Sequence, residues 1–174
     1  MDLLKDILLV LIPSGLLLFG MFSLAQSFLQ KQYEQKILDL KMKNTEIILP
    51  IRLQAYERII LLLERISPNN LLLRLSSNGT HVGDFQQILL SEIRSEFNHN
   101  LAQQVYISAE AWETVVAALN DTISTVNLAA IGLDPALPSI ELSKKIFEID
   151  INKDPKKIKE AIHQLKDEIQ LVFN

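Results

Sequence analysis

The sequence predicts an all-α protein, with one N-terminal transmembrane helix followed by a small helical bundle of about four main helices and some short ones. Three observations predict this class. A long apolar run without charge lies within the first thirty of the 174 residues. Most other apolar residues recur at spacings of three and four, the period of an amphipathic helix. Only residues 101–107 have the pattern of a strand, and one strand cannot form a sheet.

The apolar run covers residues 7–29, ILLVLIPSGLLLFGMFSLAQSFL, and contains no charged side chain. At ~1.5 Å per residue, a helix of this length spans a hydrocarbon core of ~30 Å. Pro13 and Gly15 are tolerated in helices that lie in lipid. Ser23 to Ala25 has the form of a signal-peptide cleavage site, but the preceding MDLLKD is not basic and the apolar run is long. We therefore expect residues 1–30 to be a transmembrane anchor.

Lysines flank this run unequally. Lys5 precedes it, whereas four lysines follow it between residues 31 and 43. Cytoplasmic flanks of membrane helices carry an excess of lysine and arginine. The asymmetry predicts a single-pass protein with its N-terminus outside and the remainder of the chain in the cytoplasm.

Residues 31–48, KQYEQKILDLKMKNTEII, contain neither glycine nor proline, so we expect a juxtamembrane helix that continues the anchor. A heptad register can be drawn along it. An asparagine at position a favours parallel self-pairing, but Lys36 at g would face Lys41 at e of a parallel copy, which is repulsive. A self-associating coiled coil and a helix that packs on its own domain both remain open. The register places Gln30, Ile37 and Asn44 at a, and Tyr33, Leu40 and Ile47 at d.

A cytoplasmic helical bundle is predicted over residues 49–174. Pro50 predicts a break, so residues 51–66 are expected to begin a new helix. Charges on one face of this helix exclude a second membrane span, because each costs ~2.5 to 3.5 kcal/mol at the bilayer centre. All cations between residues 44 and 143 are arginines, which suit fixed ion pairs better than lysines do. The expected apolar face comprises Leu53, Tyr56, Ile59, Ile60, Leu63 and Ile66.

Capping residues predict the next elements of the bundle. Ser67 and Pro68 have the pattern of a helix start, and a short helix over LLLRL follows. After a loop with the sequence SSNGTHVGD, Asp84 is placed to cap a helix that runs to about Phe97. The segment LAQQVYI, residues 101–107, is then expected to be a short extended connector or a lone strand.

The C-terminal part of the chain carries three further helix signals. Ser108 caps a helix that Gly132 ends, and its apolar residues recur at helical spacing. A weaker helix is expected over residues 140–147. Asp154 and Pro155 form a start signal for a last amphipathic helix.

Two Glu-x-x-His steps are the sharpest candidates for metal binding. Glu96 with His99, and Glu160 with His163, would each place two ligands on one helical face, as in helical di-iron bundles. His99, however, lies between two asparagines where its helix is expected to end. A metal-binding or small-ligand-binding domain is therefore kept as an alternative, and no cofactor is expected.

The residues needed for other common catalytic and binding sites are missing from the sequence. The chain has no cysteine, and its five glycines do not form a phosphate-binding loop. The lysines at 156, 157 and 159 lie among acidic residues in a chain of net charge −4, which argues against nucleic-acid binding. We expect no enzymatic activity and no small-molecule substrate.

Two blocks carry a resemblance to a known group of proteins. They are LPIRLQAYERIILLLERISPNNLLLRL, residues 49–75, and EIRSEFNHNLAQQVYISAEAW, residues 92–112. The chain resembles a family of short, functionally uncharacterised bacterial proteins with one N-terminal transmembrane helix. The resemblance implies an anchored helical domain in the bacterial inner (cytoplasmic) membrane, and it implies no activity, cofactor or catalytic residue.

These observations predict a membrane-anchored, non-catalytic interaction or scaffold protein, or an accessory subunit of a bacterial membrane complex. Its expected partners are the lipid bilayer and either another protein or a second copy of the chain. The juxtamembrane lysines also suit anionic lipid headgroups. The residues expected to make interactions are Arg52, Arg58, Arg65, Lys36, Lys41 and Lys43.

Overall fold

The computed structural model describes residues 2–75, 80–153 and 156–173. The chain divides into two units, Met1–Leu49 and Pro50–Asn174, which we call the anchor unit and the bundle unit. Every regular element in the described ranges is helical, which confirms the predicted all-α class. The elements are α1 Asp2–Ile66, α2 Pro68–Leu75, α3 Val82–Asn100, a 3₁₀ helix Leu101–Tyr106, α4 Ala109–Ala130, α5 Ser139–Ile151 and α6 Lys157–Phe173.

The anchor unit is the N-terminal part of α1, and its large apolar side chains between residues 11 and 29 are exposed, with Leu16 68% and Leu24 72% exposed. By length and composition, the part of α1 from Leu11 onward could cross a membrane. Its most apolar window has a mean hydropathy of 1.5 and is 0% buried. The sequence-based expectation of one helix long and apolar enough to span a bilayer is thus confirmed.

Helix α1 continues through Pro50, so the predicted break at this residue is wrong. Proline removes one i→i−4 hydrogen bond and crowds the carbonyl four residues earlier. Pro50 is exposed, so water can hydrate the freed carbonyl of Glu46 and limit the cost. Helix-forming residues on both sides then keep the helix intact.

The last four turns of α1 belong to the core of the bundle unit. Leu53 and Ile60, which were expected on the apolar face, are only partly buried, because the buried stripe is centred slightly further round the helix. Leu62, which was not expected on the apolar face, is buried instead. The buried residues are Ala55, Tyr56, Ile59, Leu62, Leu63 and Ile66.

Helix α4 is the centre of the bundle, because it packs against α3, α5 and α6. It runs antiparallel to α3. At one end of this pair, Phe97 stacks on Trp112 with ring centroids 5.5 Å apart. At the other end, the amide of Gln86 donates to Asn127 Oδ1 at 3.1 Å. The interior contains Phe85, Leu89 and Ile93 of α3, Val115 and Ala118 of α4, Leu142 and Ile146 of α5, and Ala161 and Leu165 of α6.

Helix α3 begins two residues before the predicted cap at Asp84. Its first N–H groups are satisfied by a loop that is distant in sequence: Val82 N donates to Leu137 O at 2.8 Å, and Gly83 N to Pro135 O at 3.1 Å. No side chain caps this end. A start that depends on tertiary hydrogen bonds leaves no capping signal in the sequence.

The extended connector predicted over residues 101–107 is also wrong, because Leu101–Tyr106 form a 3₁₀ helix. None of its six residues is buried. Its alternation of apolar residues therefore does not reflect a half-buried strand. Only Ile107, which follows in an extended conformation, enters the core.

The boundaries of α4 follow the prediction. The Ser108 hydroxyl accepts the Ala111 N–H at 3.1 Å, which confirms this cap. Gly132 follows the helix with φ +81°, a conformation that glycine adopts without strain. The predicted cap at Asp154 and Pro155, and the loop residues 76–79, lie outside the described residues.

Two other helix ends differ from the prediction. Helix α5 extends to Ile151, beyond the predicted 140–147, because its apolar residues continue to pack on the core. Pro68 occupies the first position of α2 as predicted. The Ser67 hydroxyl, however, donates to Glu64 O at 2.7 Å, so it closes the end of α1.

Candidate functional site

Side chains from three parts of the bundle unit meet at the carboxylate of Glu168 on α6. The Tyr56 hydroxyl donates to Oε1 at 2.5 Å, and the backbone N–H of Ser108 donates to the same oxygen at 3.1 Å. The Ser108 hydroxyl donates to Oε2 at 2.7 Å. Arg52 Nη2 lies 3.7 Å from Oε1. We call Arg52, Tyr56, Ser108 and Glu168 the Glu168 node.

Two members of the node also hold neighbouring backbone in place. Arg52 donates through Nε to the carbonyl of Tyr106 at 3.3 Å and through Nη2 to the Tyr56 hydroxyl at 3.2 Å. Ser108 uses one hydroxyl both to donate to Glu168 and to accept the N–H of Ala111 in the first turn of α4. The node therefore ties α1, the 3₁₀ helix, the start of α4 and α6 together.

The environment shifts the ionisation of both acidic groups in the node. Burial raises the pKa of Tyr56, and its hydrogen bond to Glu168 raises that pKa further against the opposing effect of Arg52. Partial burial alone would raise the pKa of Glu168. Hydrogen bonds from Tyr56 and Ser108, together with the Arg52 charge, outweigh burial and lower it. At neutral pH the node thus holds an ionised carboxylate and a neutral phenol.

A second set of ion pairs joins α1 and α2 to α3. Glu96 Oε1 lies 2.5 Å from Arg65 Nη2 and 3.7 Å from Arg74 Nη2. Arg65 Nε donates to the same oxygen at 2.7 Å. Arg74 also pairs with Glu92. The Glu96 side chain is only 13% exposed, so its charge is held between two guanidinium groups at the edge of the core.

The three arginines in the bundle-unit part of α1 therefore have different environments. Arg52 and Arg65 contact other elements of the bundle unit, whereas Arg58 lies between them on the exposed face of α1. Arg58 forms no ion pair with any residue that the structure describes. Arg58 is thus exposed without an ion pair among the described residues, whereas Arg65 is paired although its side chain is 53% exposed.

The two Glu-x-x-His steps are not brought together. Glu96 is bound by arginine, and His99 lines a shallow depression beside it. Glu160 pairs with Lys157 at 2.8 Å, and His163 Nδ1 lies 2.8 Å from an oxygen of Asp167. Within residues 2–75, 80–153 and 156–173, no three histidine, aspartate or glutamate side chains converge as a metal site.

A cleft of about 350 Å³ is lined by the end of α1, the start of α2, the C-terminal half of α4, the end of α5 and the start of α6. Lys153 Nζ crosses it to Asp121 Oδ1 and Thr125 Oγ1, each at 2.6 Å. Lys156 pairs with Asp150 at 2.9 Å. Carboxylates thus neutralise two lysines of the cleft, and the Lys153 contacts fasten the end of α5 to α4.

The side chains of residues 31–43 and 45–48 of α1, the juxtamembrane part of this helix, are exposed. Lys36, Lys41 and Lys43 are exposed. Four of the predicted a and d positions, Tyr33, Ile37, Leu40 and Ile47, are exposed as well, with Tyr33 at 68% and Ile47 at 65%. We call Tyr33, Ile37, Leu40, Asn44 and Ile47 the juxtamembrane stripe.

A protein-family comparison covers both units. The model of a family of unknown function, DUF7935, matches residues 2–172. The chain belongs to the DUF7935 family. No curated protein and no solved structure matches it. The expected membership of an uncharacterised family is confirmed, and the match assigns no activity.

For this DUF7935 chain, sequence reasoning found the arginines but missed the acid at the centre of the node. Glu168 lies 112 residues from Tyr56 and 60 from Ser108. One signal was present: Glu168 lies one position before Ile169 on the apolar stripe of α6, at the border of the buried face. Such a border acid is suited to bind a cation from a neighbouring helix.

Proposed function

We propose that this protein is a single-pass membrane protein that acts as a non-catalytic scaffold or as an accessory subunit of a bacterial membrane complex. The observation that carries the proposal is the exposure of the large apolar side chains between residues 11 and 29 of the charge-free segment. The core of the bundle unit is built from residue 55 onward. Each large apolar side chain left in water would cost about 1.5 to 3 kcal/mol, so this segment needs an apolar environment such as lipid.

The proposed orientation of the protein in the membrane rests on the distribution of its lysines. Lys36, Lys41 and Lys43 follow the apolar segment and are exposed, and Lys5 precedes it. By the positive-inside rule, the bundle unit lies in the cytoplasm and the N-terminus lies outside.

The polar clusters of the bundle unit support a structural role for it. Glu168, Glu96 and Lys153 each bind groups on at least one other element. Cross-element pairs of this kind hold helices in a defined arrangement. The bundle unit is therefore proposed to present surfaces to a partner protein, with Arg58 among the exposed cations.

Membrane insertion is tested on the full chain by extraction with alkaline carbonate. We expect the wild-type chain to remain in the membrane fraction. Replacing both Leu17 and Leu18 with arginine should release it, because two charges at the bilayer centre cost about 5 to 7 kcal/mol. Leu73→Arg is the matched control, because Leu73 is 71% exposed and Leu17 is 70% exposed. Release of the wild-type chain, or retention of the doubly charged variant, would contradict the proposal.

Topology is tested by cysteine labelling, which the cysteine-free sequence allows. Ser124→Cys introduces a thiol at an exposed position of α4. We expect a membrane-impermeant maleimide to label it in bacterial cells only after lysis. Labelling in intact spheroplasts would show that the bundle unit lies outside.

A further inference from the structure

The charges around the juxtamembrane stripe are segregated. In the heptad register, Lys36 and Lys43 fall at g and Lys41 falls at e, so they border the apolar stripe on both sides. The two acids C-terminal to Lys36, Asp39 and Glu46, both fall at c on the outer face. Glu34 is the one acidic residue at a bordering position. Residues at e and g determine which helix a coiled-coil strand accepts as its partner.

Lipid headgroups do not account for all of these lysines. Lys41 and Lys43 follow the end of the apolar segment at Leu29 by 12 and 14 residues, which is ~18 to 21 Å along a helix. The headgroup layer extends ~5 to 7 Å beyond the hydrocarbon edge, so these lysines lie ~11 to 16 Å from it, which is more than the screening length of ~8 Å at physiological ionic strength. Lys31 lies close to the headgroups, whereas the lysines at the C-terminal end of the stripe are far enough from them to pair with carboxylates of a neighbouring helix.

A second copy of the chain fits the stripe less well than an acidic helix does. In a parallel pair of copies, each Lys36 faces the Lys41 of the other chain, so two like-charge contacts arise. Against glutamate or aspartate, the same lysines form favourable pairs, each worth roughly a twofold change in affinity, and like charges oppose by a similar factor. With three such lysines, the stripe should bind an acidic helix at least about tenfold more tightly than a basic one.

We propose that the juxtamembrane stripe binds one parallel, amphipathic α-helix with acidic flanks, contributed by a different membrane-anchored protein. The partner presents apolar side chains to Tyr33, Ile37, Leu40 and Ile47, and carboxylates to Lys36, Lys41 and Lys43. A polar side chain opposite Asn44 sets the register. This inference rests on the proposed function, because a shared bilayer brings two anchored helices into parallel orientation and raises their effective concentration.

The inference is tested with the full chain in lipid nanodiscs and a fluorescent synthetic peptide of three heptads. The peptide carries isoleucine and leucine at a and d, one asparagine at a, and glutamate at e and g. Its control carries lysine at e and g. We expect the acidic peptide to bind at least tenfold more tightly than the basic one, and more weakly as salt rises.

Variants of the chain sharpen the test. Replacing Lys36, Lys41 and Lys43 with glutamate should reverse the preference toward the basic peptide. Leu40→Glu should abolish binding, whereas Met42→Glu, outside the stripe, should reduce it less than threefold. Leu40 is 62% exposed and Met42 is 59% exposed, so the two substitutions are matched.

Three outcomes would overturn the inference. The first is equal affinity for the two peptides, and the second is no binding of either peptide. The third is efficient disulfide formation between copies of an Asn44→Cys chain, with a yield that increases on Lys41→Glu or on addition of salt. The last outcome identifies a second copy as the occupant. A chain that inserts into nanodiscs but shows one of these outcomes leaves the membrane anchor intact, whereas a chain that fails to insert contradicts the proposed function itself.

Discussion

The hydroxyl of Tyr56 on α1 donates a hydrogen bond of 2.5 Å to Glu168 on α6, across 112 residues of sequence. This contact links the first and last helices of the bundle unit directly. Ser108 adds two hydrogen bonds to the same carboxylate, so the start of α4 depends on it as well. The stability of the bundle unit should therefore respond strongly to changes at one acidic side chain.

Removal of that carboxylate is the first prediction. Glu168→Ala leaves the Tyr56 hydroxyl, the Ser108 N–H and the Arg52 guanidinium without their acceptor, and we expect a loss of about 3 kcal/mol in the free energy of unfolding. The full chain in nanodiscs is unfolded with denaturant and followed by fluorescence of Trp112, the single tryptophan of the sequence. This signal reports on the bundle unit.

A matched control is available on α5. Glu148 forms an exposed pair with Lys145 at 2.9 Å, so Glu148→Ala should cost less than about 0.5 kcal/mol. Equal losses for the two variants would show that the node does not stabilise the bundle unit.

The second prediction concerns acid. The folded-state pKa of Glu168 is lower than its ordinary value, so its stabilising contribution is complete above that value and is lost as pH falls through the folded-state pKa. The unfolding free energy of the wild-type chain should therefore converge on that of Glu168→Gln as pH falls from about 6 to 3. A constant difference across this range would refute the role of the ionised carboxylate.

The stabilising contribution of Tyr56 should be lost at alkaline pH, whereas that of Glu168 is lost in acid. Its folded-state pKa is raised, so its contribution is present below the ordinary value near 10 and is lost as pH rises through the folded-state pKa. Tyr56→Phe should remove this alkaline loss while costing about 1 kcal/mol at neutral pH. Denaturant titrations of both chains between pH 8 and 11 measure the effect.

The third prediction separates the arginines. A double-mutant cycle on Arg65 and Glu96, with alanine at each position, should give a coupling of about 0.5 to 1 kcal/mol, because the Arg65 side chain is 53% exposed to solvent. Arg58→Ala should change the unfolding free energy by less than about 0.5 kcal/mol. A large loss from Arg58→Ala would place its guanidinium group within the fold.

The fourth prediction concerns the end of α4. Gly132 has φ +81°, and a Cβ there would meet nothing within 4 Å. Gly132→Ala should therefore cost about 1 kcal/mol for conformational reasons alone. Gly132→Asn should cost less, because asparagine tolerates left-handed backbone better. Equal losses in the denaturant midpoints of the two variants would contradict this assignment.

Much of the fold was predictable because its signals are local. The spacing of Tyr56, Ile59, Leu63 and Ile66 identified the buried face of α1, since a helix repeats every 3.6 residues. The cap at Ser108 and the glycine at 132 marked the ends of α4 through their own backbone preferences. These features require no knowledge of the other helices.

Where local signals competed with distant contacts, the prediction was wrong. Pro50 carries a strong breaking preference, but flanking helix and exposure to water outweigh it. The start of α3 is decided by backbone hydrogen bonds to Pro135 and Leu137, more than fifty residues away. The apolar alternation of residues 101–107 indicated a strand that has no partner to pair with.

The sequence by itself determined the helical class, the charge-free segment and the positions of the arginines, because hydrophobic period, charge and capping are properties of neighbouring residues. Only the tertiary structure decided which arginine serves the fold. Arg52 and Arg65 reach Glu168 and Glu96, whereas Arg58 does not meet a carboxylate among the described residues. The reason is physical: an ion pair depends on how helices pack, and the packing brings together side chains that lie up to 116 positions apart.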